Sequence, residues 1–205
     1  MEDRFISNMT FRVVLLGIRE IIGENGLKTV LNYNGMKKYV DNLPPNDHEK
    51  NACRASEVAA VDRGVADIFG SNGGAAILLL VGRMQAKWGL EENPDTVAAA
   101  RALLDGKDEF EAAKTALELA AGVVSAETGG KIWVETDGAD FLYHYQGDTH
   151  SFDLRSASPV CHVTSGFATG IVQWATGKTD WIAKEERCTA QGAPYCTHRV
   201  RKTTG

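Results

Sequence analysis

Proline is scarce in this chain, five in 205 residues, and aromatic residues make up only 8%. That scarcity excludes a collagen-like or proline-rich chain, and 43% hydrophobic against 24% charged residues excludes a disordered one. Neither charge sign dominates: 22 Lys+Arg against 27 Asp+Glu leave a net charge of −5. This balance disfavours a broad nucleic-acid face, so no direct nucleic-acid partner is expected, although Arg199, Arg201 and Lys202 form a local basic patch. Long apolar runs are also missing. The longest, from Ala75 to Val81, is bounded by glycines and Arg83 and falls short of the roughly 20 residues of a membrane span, so it reads as a buried helix. Met1-Glu2-Asp3-Arg4 lacks the basic and apolar regions of a secretory signal, which points to the cytoplasm. Cysteine is sparse at four residues, but Cys161, Cys188 and Cys196 fall in the last quarter of the chain. In a reducing compartment such clustered thiols read first as metal ligands or reactive groups.

What is present is helical periodicity followed by strand patterning. The length suits a single domain over 1–205. Phe11, Val14, Leu15, Ile18, Ile21 and Ile22 recur at helical spacing, with Thr10 as N-cap and Gly23 or Gly26 as stop; a shorter helix follows to Asn34-Gly35. After the breaker Pro44-Pro45, residues 55–69 and 74–88 read as two helices joined at Gly70-Ser71-Asn72-Gly73, with further helices over 94–104 and 108–124. Past Gly129-Gly130 the pattern changes: residues 131–136 and 140–146 read as a hairpin around Asp137-Gly138. A helix over 161–174, capped by Ser158 and opened by Pro159, then precedes a second strand pair over 181–186 and 195–200. The expected fold is therefore α+β, with a mainly helical part over 1–128 packed on an antiparallel sheet over 129–205 in β-β-α-β-β order.

Nucleotide and hydrolase motifs fail. Gly70 to Gly74 lacks the lysine-serine/threonine ending of a phosphate loop, and Thr164-Ser165-Gly166-Phe167 is not a nucleophile elbow. Gly166 and Gly170 lie on one side of a helix, a spacing that is most often plain helix packing. Cys188 and Cys196 flank a turn containing Gly192 and Pro194 that can bring the thiols together, and Cys161 opens the preceding helix. Three soft ligands meeting there need a fourth donor to complete a tetrahedral zinc site.

The segment Pro159 to Gly170 followed by Glu185-Glu186-Arg187-Cys188 through Cys196, with its helix-opening cysteine, paired glycines and Glu-x-x-Cys-x-x-x-Gly-x-x-x-Cys ending, resembles the 4-vinyl reductase domain family of small-molecule-binding domains. The resemblance implies a TRAPP-subunit-like fold, a homodimer and a structural zinc held by Cys161, Cys188 and Cys196. In the similar sensor domains of aromatic-responsive transcription activators an acidic residue from an earlier strand is the fourth ligand. Here that strand offers His144, with Asp140 and Glu135 as rivals. The resemblance also implies a small apolar or aromatic ligand, which Met84, Trp88, Trp133, Phe141, Tyr143 and Phe167 would line; by spacing alone these residues are core. The reading is a non-enzymatic sensor or carrier, with an enzyme or accessory acting on a tetrapyrrole-like substrate, or a ligand-free assembly subunit, as alternatives.

Overall fold

In a computed structural model, which describes residues 3–91 and 94–203, helices occupy most of the first two thirds and an antiparallel sheet the rest. Met1 and Glu2, part of the N-terminal stretch read for a signal, lie outside the described residues. Helix α1 runs Asn8–Tyr33 and α2 Ala55–Glu91, and a two-residue pair, β1 (Phe5–Ile6) with β2 (Cys53–Arg54), ties their starts together. Each helix contains one break. Gly23 (φ 78°, ψ 168°) interrupts α1 and Gly70 (φ 76°, ψ 161°) interrupts α2, both in a region of backbone space where only glycine is at ease. The expected pairs of helices thus exist as single elements broken at the expected glycines. Thr10 does not cap the first; the helix begins after Ser7.

Helices α3 (Pro94–Leu104) and α4 (Glu109–Thr128) follow, the latter N-capped by the Asp108 carboxylate, which accepts from the Glu111 N–H at 2.9 Å, and closed by Gly129 in the left-handed region. Strands β3 (Lys131–Asp137) and β4 (Asp140–Gln146) form the hairpin, α5 spans His162–Thr176, and β5 (Trp181–Arg187) and β6 (Cys196–Lys202) complete a sheet of order β3-β4-β6-β5. The architecture is α+β. Helix α5 starts at His162 with Cys161 in the capping position, so Ser158 and Pro159 lie ahead of it rather than opening it.

One apolar core joins α1 and α2, with Phe152 and Val163 added. A second lies between α4, α5 and one face of the sheet, where Phe141, Tyr143, Trp181 and Val200 pack on Ala113, Leu117, Ala168 and Val172. Helix α5 is the hinge between them, and glycine is the reason α2 can reach it. A Cβ at Gly82 would sit 2.0 Å from the Val163 carbonyl oxygen, and one at Gly166 2.1 Å from that of Leu79; at Gly170 it would meet the Ala86 Cβ at 2.7 Å. The two helices cross backbone to backbone, which is the physical content of the Gly-x-x-x-Gly spacing.

Helix α2 is also the one helix among the described residues long and apolar enough, by length and composition, to cross a membrane, with 28% of its most apolar 18-residue window buried. Core helices meet the same criterion, and α2 packs along both α1 and α5.

Candidate metal centre

Alternation along the strands decides which side chains can meet the thiols. Across β4 and β6 the pairs are Phe141 with Val200, Tyr143 with His198, and Tyr145 with Cys196, all buried on the helix-covered face. His144 pairs with Thr197 and Leu142 with Arg199, on the opposite face. Strand β5 presents Trp181, Ala183 and Glu185 to the helices. Strict alternation would then turn a residue three positions after Glu185 away. The register shifts between Glu185, opposite His198, and Arg187, opposite Thr197, so Glu186 is an extra residue that resets the phase. Cys188 therefore returns to the side of Glu185. A tight turn over Thr189–Gln191, ended by Gly192 at φ 94°, brings the chain back to Cys196.

The result is a buried cluster of Cys161, Glu185, Cys188 and Cys196, whose donor atoms all lie within 4.8 Å of one another. Cys161 Sγ is 3.9 Å from Cys188 Sγ and 3.5 Å from Cys196 Sγ, and no pair is a disulfide. Tetrahedral zinc with Zn–S bonds of about 2.3 Å requires sulfur–sulfur separations of about 3.8 Å, so the observed spacings bracket the requirement. The Thr189 N–H donates to the sulfur of Cys196 at 3.4 Å, and the hydroxyls of Ser151 and Thr189 lie 3.5 Å from the same sulfur. Glu185 Oε2 accepts from the Cys161 N–H at 2.7 Å, while Oε1 is buried with no hydrogen-bond partner among the described residues.

Without a cation this set is electrostatically unsettled. Burial pushes Cys161 well above the ordinary thiol range, and burial followed by the charge of Cys196 raises Glu185 to about 8. Hydrogen bonds from Cys161 and then Cys196 hold Cys188 down to about 5. Like charges cannot all ionise in one buried space, and a divalent cation is what would let them. Four protein donors leave no open position, the pattern of a structural rather than a catalytic site.

The fourth donor that the structure brings to the thiols is thus Glu185, not His144. His144 stacks on Trp133 at 4.9 Å between ring centroids, and its Nδ1 bonds Thr197 Oγ1 at 3.0 Å on the far face of the sheet. The two rivals are on that face as well. Glu135 accepts from Trp133 Nε1, and Asp140 from Arg199. Glu185 stood inside the Glu-x-x-Cys ending, which was the available signal.

The residues expected around a ligand are dispersed. Phe141 and Tyr143 belong to the sheet–helix core, and Phe167 packs with Ala86, Ala116, Ala120 and Ile171 between α2, α4 and α5. Met84 and Trp88 lie half-buried on α2, and Trp133 is on the outer face of the sheet. Among the buried polar atoms lacking a partner are Tyr143 Oη, His198 Nε2 and Asp62 Oδ1. They belong to a network invisible in the sequence. Asp62 on α2 pairs with His150 Nδ1 at 2.6 Å, and Asp148 accepts from the His150 N–H and from Thr164 Oγ1, each at 2.9 Å. Ser165 Oγ is 2.8 Å from His198 Nδ1, and His198 Nε2 is 3.9 Å from Asp148 Oδ2. This serine–histidine–aspartate series is sealed, with Ser165 only 2% exposed, and offers no surface to a substrate.

No known family's sequence profile matches the chain. A stretch of 52 residues is 38% identical to an uncharacterised protein of Methanocaldococcus jannaschii; it spans 25% of this chain and 23% of that protein. Among solved structures the chain is similar to the phenol-responsive sensory domain of the transcription activator PoxR with phenol, at 19% identity and TM-score 0.53, covering 74% of this chain and 76% of that one. It is also similar to an H-NOX protein from Shewanella oneidensis in the Fe(II)NO state, at 13% identity and TM-score 0.59, covering 94% and 99%. An unliganded Fe(II) H-NOX protein from K. algicida matches at 12% identity and TM-score 0.57 over 98% of each chain. What this chain shares with these proteins is the fold.

Proposed function

We propose that this chain is a small-molecule sensor or carrier domain of the 4-vinyl reductase type, in which Cys161, Glu185, Cys188 and Cys196 hold a structural zinc. The observation that carries the reading is the buried four-donor cluster on a fold shared with a phenol-sensing domain. When bound, zinc would join the start of α5 to the β5–β6 turn and fix the side of the sheet against which the helices pack. The chain's own residues prepare that junction: the Cys161 N–H is already held by Glu185, and Thr189 and Ser151 face Cys196.

The ligand is a small apolar or aromatic molecule taken up between the sheet and the helices, where Phe141 and Tyr143 supply the apolar wall and the unpartnered Tyr143 Oη the polar point. The haem of the H-NOX neighbours is not part of the proposal. The buried histidines His144, His150 and His198 are packed against Trp133, Asp62 and Tyr143, respectively, and each has one ring nitrogen engaged. Kinship with TRAPP subunits and a homodimer complete the reading; the exposed Leu119 and Val123, one turn apart on α4, support an assembly face. A metal site built on thiolates suits a reducing compartment, and a cytoplasmic location is part of the proposal.

Metal analysis and native mass spectrometry of the purified chain test this. One zinc per chain, together with saturable stabilisation by phenol that Tyr143→Phe weakens, is the expected result. A metal-free chain prepared without chelators, or one indifferent to phenol and other small aromatics, would overturn the corresponding half of the proposal.

A further inference from the structure

An open cleft of about 340 Å³ lies between the C-terminal part of α2, the start of α3 and the end of α5, away from the cysteines and from Tyr143. Gly170 is part of its lining, where α5 packs closely on α2 beside Arg83. Leu90, Val97 and Trp174 give it apolar walls, and Arg83 and Lys87 project from successive turns of α2, with Glu91 the single carboxylate in the lining among the described residues. Among the described residues Lys87 has one ion pair, an exposed one with Glu91, one turn on, at 3.7 Å. Arg83 has no hydrogen bond or ion pair among the described residues. A third cation stands at the rim: the Arg101 guanidinium lies 4.3 Å from the Trp174 ring centre.

Cations gathered on an apolar, aromatic-walled cleft in a chain of net charge −5 run against the overall sign of the molecule. Such a cleft selects by both ends of a ligand, the guanidinium pairing with an oxyanion and the walls covering hydrocarbon. From this we infer a second ligand site, which takes an amphipathic organic anion: a carboxylate or sulfonate on an aromatic or alkyl body. Arg83 pairs with the anionic group, Lys87 adds charge, and the body lies along Trp174, Leu90 and Val97. The cleft's volume is at the small end of ligand sites, roughly 300–1,000 Å³, and suits a one- or two-ring molecule. The inference is independent of the zinc and phenol reading.

Fluorescence titration of the full chain with anilinonaphthalenesulfonate, and with the neutral N-phenylnaphthylamine as control, tests it. One-site binding of the sulfonate is expected, weakened by added salt and weakened roughly fivefold or more by Arg83→Gln. Lys87→Gln acts in the same direction, and Trp174→Leu weakens both probes. Zinc content and phenol response stay unchanged in Arg83→Gln, which separates this site from the other. Sulfonate binding that is unaltered in both Arg83→Gln and Lys87→Gln, or a neutral probe that loses as much affinity as the anion in Arg83→Gln, would overturn it.

Discussion

The Cys161 N–H and Glu185 Oε2 lie 2.7 Å apart, so the first turn of α5 is anchored to β5 by the same carboxylate that completes the thiol cluster. Glu185→Gln keeps an acceptor for that N–H but removes the anionic oxygen, and it lowers zinc affinity at least about tenfold. Cys188→Ser, removing a thiolate, releases the metal and lowers the melting temperature. His144→Ala leaves one zinc per chain. Chelator competition followed by metal analysis reads all three.

Why Glu185 was not the residue singled out from the sequence is a matter of phase. Period-two alternation places residues three apart on opposite faces of a strand, and nothing in Glu185-Glu186-Arg187-Cys188 announces the bulge that brings the first and last together. The cysteines were legible because their spacing around Gly192 folds back locally. Helix breaks at Gly23 and Gly70 were legible for a similar reason, since glycine in the left-handed region leaves a local mark. The Asp62–His150 pair spans 88 positions, and Ser165–His198 spans 33. Such contacts depend on how α2 and α5 meet the sheet, which no local pattern encodes.

Gly166→Ala separates packing from helix propensity. Its methyl would fall 2.1 Å from the Leu79 carbonyl oxygen, a backbone atom that can move only if α2 and α5 part. A loss of about 3 kcal/mol or more is expected in urea unfolding, at or beyond the upper range for overpacking. Gly122 lies within α4 with open space where its Cβ would be, so Gly122→Ala stabilises the chain by roughly 0.5–1 kcal/mol. Equal effects at both positions would remove the crossing as the reason for Gly166.

Tyr143→Phe should raise the stability of the ligand-free chain. The hydroxyl is buried without a partner among the described residues, and deleting it relieves a desolvation cost of about 1 kcal/mol while leaving the ring packed in the sheet–helix core. The same change removes the polar point offered to phenol. Thermal melts with and without phenol should therefore show a higher free melting temperature and a smaller phenol-induced rise in the variant. A lower free melting temperature would mean that the hydroxyl is already satisfied, as by an internal water.

The Asp62–His150 pair makes stability depend on pH in a stated direction. Burial alone would lower the His150 pKa; the charge of Asp62 2.6 Å away and its hydrogen bond outweigh that and raise it from 6.5 to about 8. A group whose folded pKa is raised contributes its full stabilisation below the unfolded value and loses it as pH rises through the folded one. Unfolding free energy should thus fall between about pH 6.5 and pH 8, by on the order of 2 kcal/mol from this pair. Asp62→Asn removes the charge that holds the proton, so the variant should be less stable near pH 6 and should lack this part of the slope. The difference between the two urea-unfolding profiles isolates the pair from other groups that titrate in the same range. A difference that stays constant across the window would show that His150 keeps one protonation state throughout, and that Asp62 anchors α2 to the 149–151 turn by hydrogen bonding alone.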